Sequence, residues 1–210
     1  MTSANAADLD IAGAFHPAPD QGCPAGTGTL LLLAPREPQF WPAFTESPEY
    51  RDGAPDPMDR WSARVIGALA HDLGAKALFP FGGAPFHPFY SWALASGRAW
   101  ASPVRLLVHD TAGLFISYRG ALALPGRLKI PTPTATTPCK TCVQKPCLTA
   151  CPIGALGPDG YDVPSCRAHI AGNAGRECIQ GGCLTRRACP ISARHGRLPE
   201  QSAFHMRAFQ

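Results

Sequence analysis

Eight of the nine cysteines in this 210-residue chain fall between positions 139 and 189, in two runs of four. The first reads Cys139-x2-Cys142-x4-Cys147-x3-Cys151-Pro152, and the second Cys166-x11-Cys178-x4-Cys183-x5-Cys189-Pro190. Any fold open to this region must first dispose of eight thiols. Disulfides need an oxidising compartment, whereas in a reducing one a dense cysteine set points to metal.

The opening MTSANAADLD carries acids where a secretory leader needs a basic stretch followed by an apolar one, and the longest apolar run is only Leu30 to Ala34. Crossing a bilayer takes ~20 apolar residues. A cytoplasmic protein with no membrane partner is expected, and its thiols are read as metal ligands. Cys23, in GCPAG, stands apart as a free loop thiol.

A cubane cluster needs four thiolates converging on a small volume, three from one tight loop and the fourth from a distant segment, and short cysteine spacings supply such a loop. The expected cofactors are therefore two [4Fe-4S] clusters, with Cys139, Cys142, Cys147, Cys151, Cys166, Cys178, Cys183 and Cys189 as ligands. Two alternatives stay open: one cluster with the other cysteines structural, or a zinc-stabilised binding module, since Cys139-x2-Cys142 alone is a zinc half-site. His169, three residues after Cys166, is a further candidate ligand, because imidazole replaces thiolate in some iron-sulfur centres.

The segment PCLTACPIGAL, Pro146 to Leu156, resembles two-cluster bacterial ferredoxins. In that pattern the fourth cysteine of each run binds the other cluster. The resemblance thus implies Cys139, Cys142, Cys147 and Cys189 at one centre, and Cys166, Cys178, Cys183 and Cys151 at the other. Each centre then depends on both halves, so folding should be coupled to metal. The sequence departs from the common pattern with four residues between Cys142 and Cys147 where two are usual, and with longer gaps throughout the second run.

Charge is distributed to match. Residues 1 to 138 hold ten Lys/Arg against eleven acids, whereas residues 139 to 210 hold nine against four. A basic surround offsets the negative charge of oxidised clusters with their thiolates, and that charge balance is one lever on potential. Arginine is not interleaved with aromatics there, so a nucleic-acid partner is not expected.

Upstream, Gly28 to Ala34 and Ala77 to Phe81 read as short strands. A helix is expected from an Asp56 N-cap and Pro57 to Gly74, with Met58, Trp61, Val65, Leu69 and Leu73 as its apolar face. A second helix runs from about Pro88 to Gly97. Val104 to His109 and Leu114 to Leu124 flank a turn, the pattern of an antiparallel hairpin. The loop Phe79 to Phe89 suits a pocket wall, with His87, Tyr90, His109 and Tyr118 as its polar candidates. Pro131 to Pro138 reads as a linker.

The expected fold class is α+β: a small α/β domain with an antiparallel hairpin over 1–130, the linker 131–138, and a ferredoxin-like module with its tail over 139–210. The order of the hairpin SPVRLLVHDTAGLFISYRGALALP followed by Cys139 is similar to epoxyqueuosine reductases, reductive dehalogenases and the related cobalamin-processing protein. That resemblance implies a corrinoid near His109 to Tyr118, fed electrons by the clusters. The functional expectation is electron transfer to a redox partner protein or to an in-chain redox site, with a corrinoid-dependent or related reductase as the enzymatic alternative.

Overall fold

The computed structural model describes residue 4 and residues 7–133 and 136–210. The fold is mixed α and β with small antiparallel sheets. It divides into two compact units, one of residues 1–98 and 117–134, the other of residues 99–116 and 135–210. Thr134 and Ala135, within the linker read from sequence, lie outside the described residues.

The first unit is built on a four-stranded antiparallel sheet. Its strands are β1 (Leu9–Phe15), β2 (Thr29–Pro35), β3 (Lys76–Leu78) and a later strand, β6 (Gly120–Leu124), in the order β1-β2-β6-β3. Leu30, Leu32 and Leu33 of β2 are fully buried, as the leucine run predicts for an interior strand. β3 stops at Leu78, short of the expected Phe81, because Pro80 cannot donate to a ladder.

Helices α1 (Phe40–Thr45) and α2 (Pro48–Arg51) gather Phe40, Phe44 and Tyr50 into an aromatic cluster with Trp61, Phe40 meeting Trp61 edge-on at 5.1 Å. Burying each phenylalanine contributes ~1.5–3 kcal/mol. Helix α3 (Pro57–Asp72) lies against β3 and β6. A Cβ on Gly120 would stand 2.7 Å from the Ile66 Cδ1, so a glycine is what lets helix and strand approach. The buried face of α3 is Met58, Trp61, Ser62, Ile66 and Ala70, not the Val65, Leu69 and Leu73 stripe; Leu73 is exposed. Asp56 does precede the helix, but it takes a left-handed backbone and its side chain makes no capping bond. Helix α4 (Phe89–Ala95) lies within the span expected for it and buries Phe89, Trp92 and Ala93.

The second unit opens with the hairpin of β4 (Ala99–Ala101) and β5 (Leu107–His109). This corrects the hairpin expected from sequence: β5 pairs backwards with β4, while the downstream run splits, its first residues staying here and Gly120–Leu124 joining the other sheet. The apolar runs were visible, but strand pairing is a long-range choice that local pattern does not encode. Beyond it lie a small hairpin of β7 (Leu156–Gly157) and β8 (Gly160–Tyr161), then α5 (Val163–Ala171), α6 (Arg176–Gly181), α7 (Leu184–Ala188) and α8 (Pro199–Phe209), with α8 packed on α6. Among the described residues no helix is long and apolar enough to cross a membrane.

Candidate functional site: two thiol-lined cavities

The cysteines of the first run are set out by short 3-10 turns. Cys139 sits in the turn Pro138–Lys140, whose preceding Thr137 Oγ1 accepts from the Cys139 N–H at 3.4 Å. Cys147 sits in the turn Pro146–Leu148. Each turn starts with a proline, which fixes φ where an N–H would lack a partner anyway. In the second run, Asp162 caps α5 by accepting from Ser165 N–H at 3.0 Å, and α5 carries Cys166 and His169 three residues apart, on one side of the helix. Cys178 lies on α6, and Cys183 and Cys189 flank α7.

All nine cysteines are free of disulfides. Cys139, Cys142, Cys147 and Cys189 line one cavity of about 180 Å³, together with Ser102, Val108, Leu114 and Lys145. Cys151, Cys166, Cys178 and Cys183 line a second, tighter cavity of about 20 Å³, with His169, Leu184 and Thr185. The structure therefore groups the thiols three and one, each cavity drawing its fourth from the other run. Among the described residues, no group of three or more His, Cys, Asp or Glu side chains is arranged to hold a single metal ion.

Helix α7 explains the spacing of the second run. It rests against the Cys147 turn, and its flanking residues, Cys183 and Cys189, face different cavities. Its five helical residues rise about 7.5 Å at 1.5 Å each, with a non-helical cysteine at either end. The five intervening residues are thus a helical spacer between the two cavities.

The hairpin residues 99–116 form the wall of the first cavity. Val104, Val108 and Leu114 are buried in one cluster with Cys147 and Cys189. The strip around Leu114 is pinned by the second cysteine run and the residues just after it: Leu114 N–H donates to Ser192 Oγ at 2.8 Å, Arg186 donates to Leu114 O at 3.1 Å, and Arg197 donates to Phe115 O at 3.2 Å. In these apolar surroundings burial pushes the thiols of Cys139, Cys147, Cys166 and Cys178 up. The Thr137 hydroxyl and the Lys145 charge partly oppose this at Cys139, as the Tyr161 hydroxyl does at Cys166 and the Leu184 N–H at Cys178.

Buried polar atoms in native proteins are almost always hydrogen-bonded, and exceptions call for an explanation. The Ser102 hydroxyl on the first cavity, and the Thr185 hydroxyl and His169 Nε2 on the second, are buried without a partner among the described residues. In donor chemistry, four thiols and at least one unsatisfied polar atom at each cavity suit a sulfide-rich inorganic group, whose sulfurs accept hydrogen bonds; in volume the first cavity suits it, whereas the second, at about 20 Å³, is closed to little more than a water. Sequence reading missed Ser102, Thr185 and Ser192; adjacency to a cysteine or to the hairpin was their only signal, and serines and threonines are too common for that to single them out.

The other candidates lie elsewhere. Cys23 is half-buried and burial pushes its thiol up. His87 stacks on Trp92 at 5.5 Å, and Tyr90 is exposed on α4. Tyr118 is buried in the first unit. His109 is 2% exposed, and its Nδ1 accepts from the Ala112 N–H at 3.2 Å inside its own turn. None of these five lines either thiol cavity. No family model, curated protein or solved structure matches this chain.

Proposed function

We propose that this chain is an electron-transfer protein carrying two [4Fe-4S] clusters, one held by Cys139, Cys142, Cys147 and Cys189, the other by Cys166, Cys178, Cys183 and Cys151. The observation that carries the reading is the exchange of fourth thiols: Cys189 lines the cavity of the first run, and Cys151 that of the second. A structural zinc draws its sulfurs to ~2.3 Å from one point. Thiols ranged around a cavity of about 180 Å³ fit a larger inorganic group better.

When bound, such clusters supply reversible one-electron chemistry. The chain's own residues do the rest. Val104, Val108 and Leu114 keep water from the first site. Helix α7 fixes the spacing of the two sites, and the interlocked halves support metal-coupled folding.

The rim of the first cavity supports exchange with a separate redox protein. Val143, next to Cys142, is 92% exposed and flanked by the exposed Lys140 and Lys145, in a stretch without an acid between Asp110 and Asp159. That rim suits an acidic partner. The test is anaerobic purification followed by reduction: a brown protein that bleaches, shows two paramagnetic centres and passes electrons to an acidic carrier supports the proposal, and a colourless zinc protein removes it.

A further inference from the structure

Two polar side chains line the second cavity, and a third stands against one of its thiols. Thr185, in the first turn of α7, is 0% exposed and its hydroxyl has no partner among the described residues. His169, on α5, presents an equally buried and unpartnered Nε2. The Tyr161 hydroxyl donates to the Cys166 Sγ at 3.3 Å, and Tyr161 is held beside that sulfur by stacking on Phe209 at 5.8 Å. Three different elements supply these groups: β8, α5 and α7. Leaving such an atom unsatisfied costs about 1–3 kcal/mol, so the Thr185 hydroxyl and His169 Nε2 on one small cavity mark a place for an acceptor.

We propose that Tyr161, Thr185 and His169 form a donor set that hydrogen-bonds the sulfurs of the group bound at Cys151, Cys166, Cys178 and Cys183, and raises its reduction potential. This rests on the two-cluster reading above. A reduced cluster carries one more negative charge than an oxidised one, so donors to its sulfurs stabilise the reduced form more. The imidazole serves in its Nε2–H tautomer. These are positioning residues: the thiolates ligate, and the donors set how readily the site takes an electron.

The experiment is a potentiometric titration followed by electron paramagnetic resonance on the whole, oxygen-protected chain, with iron and sulfide counted for every variant. Thr185→Val removes the hydroxyl at constant shape, Thr185→Ser restores it, and Tyr161→Phe tests a second donor independently. Removing one donor should shift the reduction equilibrium on the order of tenfold, ~59 mV for one electron, downwards at one centre only. Thr185→Ser should return it to the wild-type value. Should Thr185→Val lose the second centre, Tyr161→Phe decides alone. Wild type with no iron would overturn both this inference and the function it rests on. Two intact centres whose potentials ignore both substitutions, or move together, would overturn the donor set alone.

Discussion

Gly113 presses directly on Cys189: a Cβ built on the glycine would lie 3.1 Å from the Cys189 Sγ, and 2.5 Å from the Ser192 backbone nitrogen. The residue also has φ +58°, the left-handed region. Gly113→Ala therefore combines a backbone penalty of ~1–2 kcal/mol with overpacking of ~1–3 kcal/mol. Urea denaturation should show the second unit weakened by about 2–5 kcal/mol, and the first centre should be lost before the second. An unchanged midpoint would show that the contact relaxes freely.

Cys189 and Cys151 should exchange roles. Cys189→Ser is expected to abolish the centre of the first run, and Cys151→Ser that of the second, each removing about four irons of eight. Mössbauer or paramagnetic spectra of the two variants should be complementary. If Cys151→Ser instead removed the centre of its own run, the grouping around the two cavities would not describe ligation.

Charge reversal at the rim should act on rate rather than on the centres. Lys140→Glu, which leaves the cavity-lining Lys145 in place, is expected to slow reduction by an acidic redox carrier several-fold at low salt, with the difference fading as ionic strength rises. Reduction by a small neutral donor should be unchanged. Stopped-flow rates across a salt series decide it.

Burial, with the nearby charges of Arg197 and His109, pushes the His195 imidazole down to about 4. An unfolded histidine titrates near ~6.5. The folded state therefore binds its proton less readily, so this stability contribution is full above pH ~6.5 and is lost as pH falls towards about 4. His195→Gln should flatten the slope of stability against pH across that window. In the wild type, the ring resonances of His195 should not move until the pH nears 4.

Elements with a strong local pattern were readable in the sequence. The leucine run made β2 recognisable, and Pro57 with the apolar spacing located α3 within two residues. Strand β1 went unread because Ala12, Gly13 and Ala14 blunt its alternation. The run Leu114 to Leu124 misled because one continuous apolar stretch serves two units: Leu114 walls the first cavity, and Leu122 lies in the other sheet. At the site, cysteine spacing carried all the information about the thiols. The buried hydroxyls of Ser102 and Thr185 carried none, since a hydroxyl signals only where the fold buries it.

Iron and acid-labile sulfide, counted per chain on protein purified without oxygen, test the central claim most directly. About eight of each are expected, matching two cubane clusters on eight thiolates. A chain holding about two zinc ions and no sulfide would contradict it.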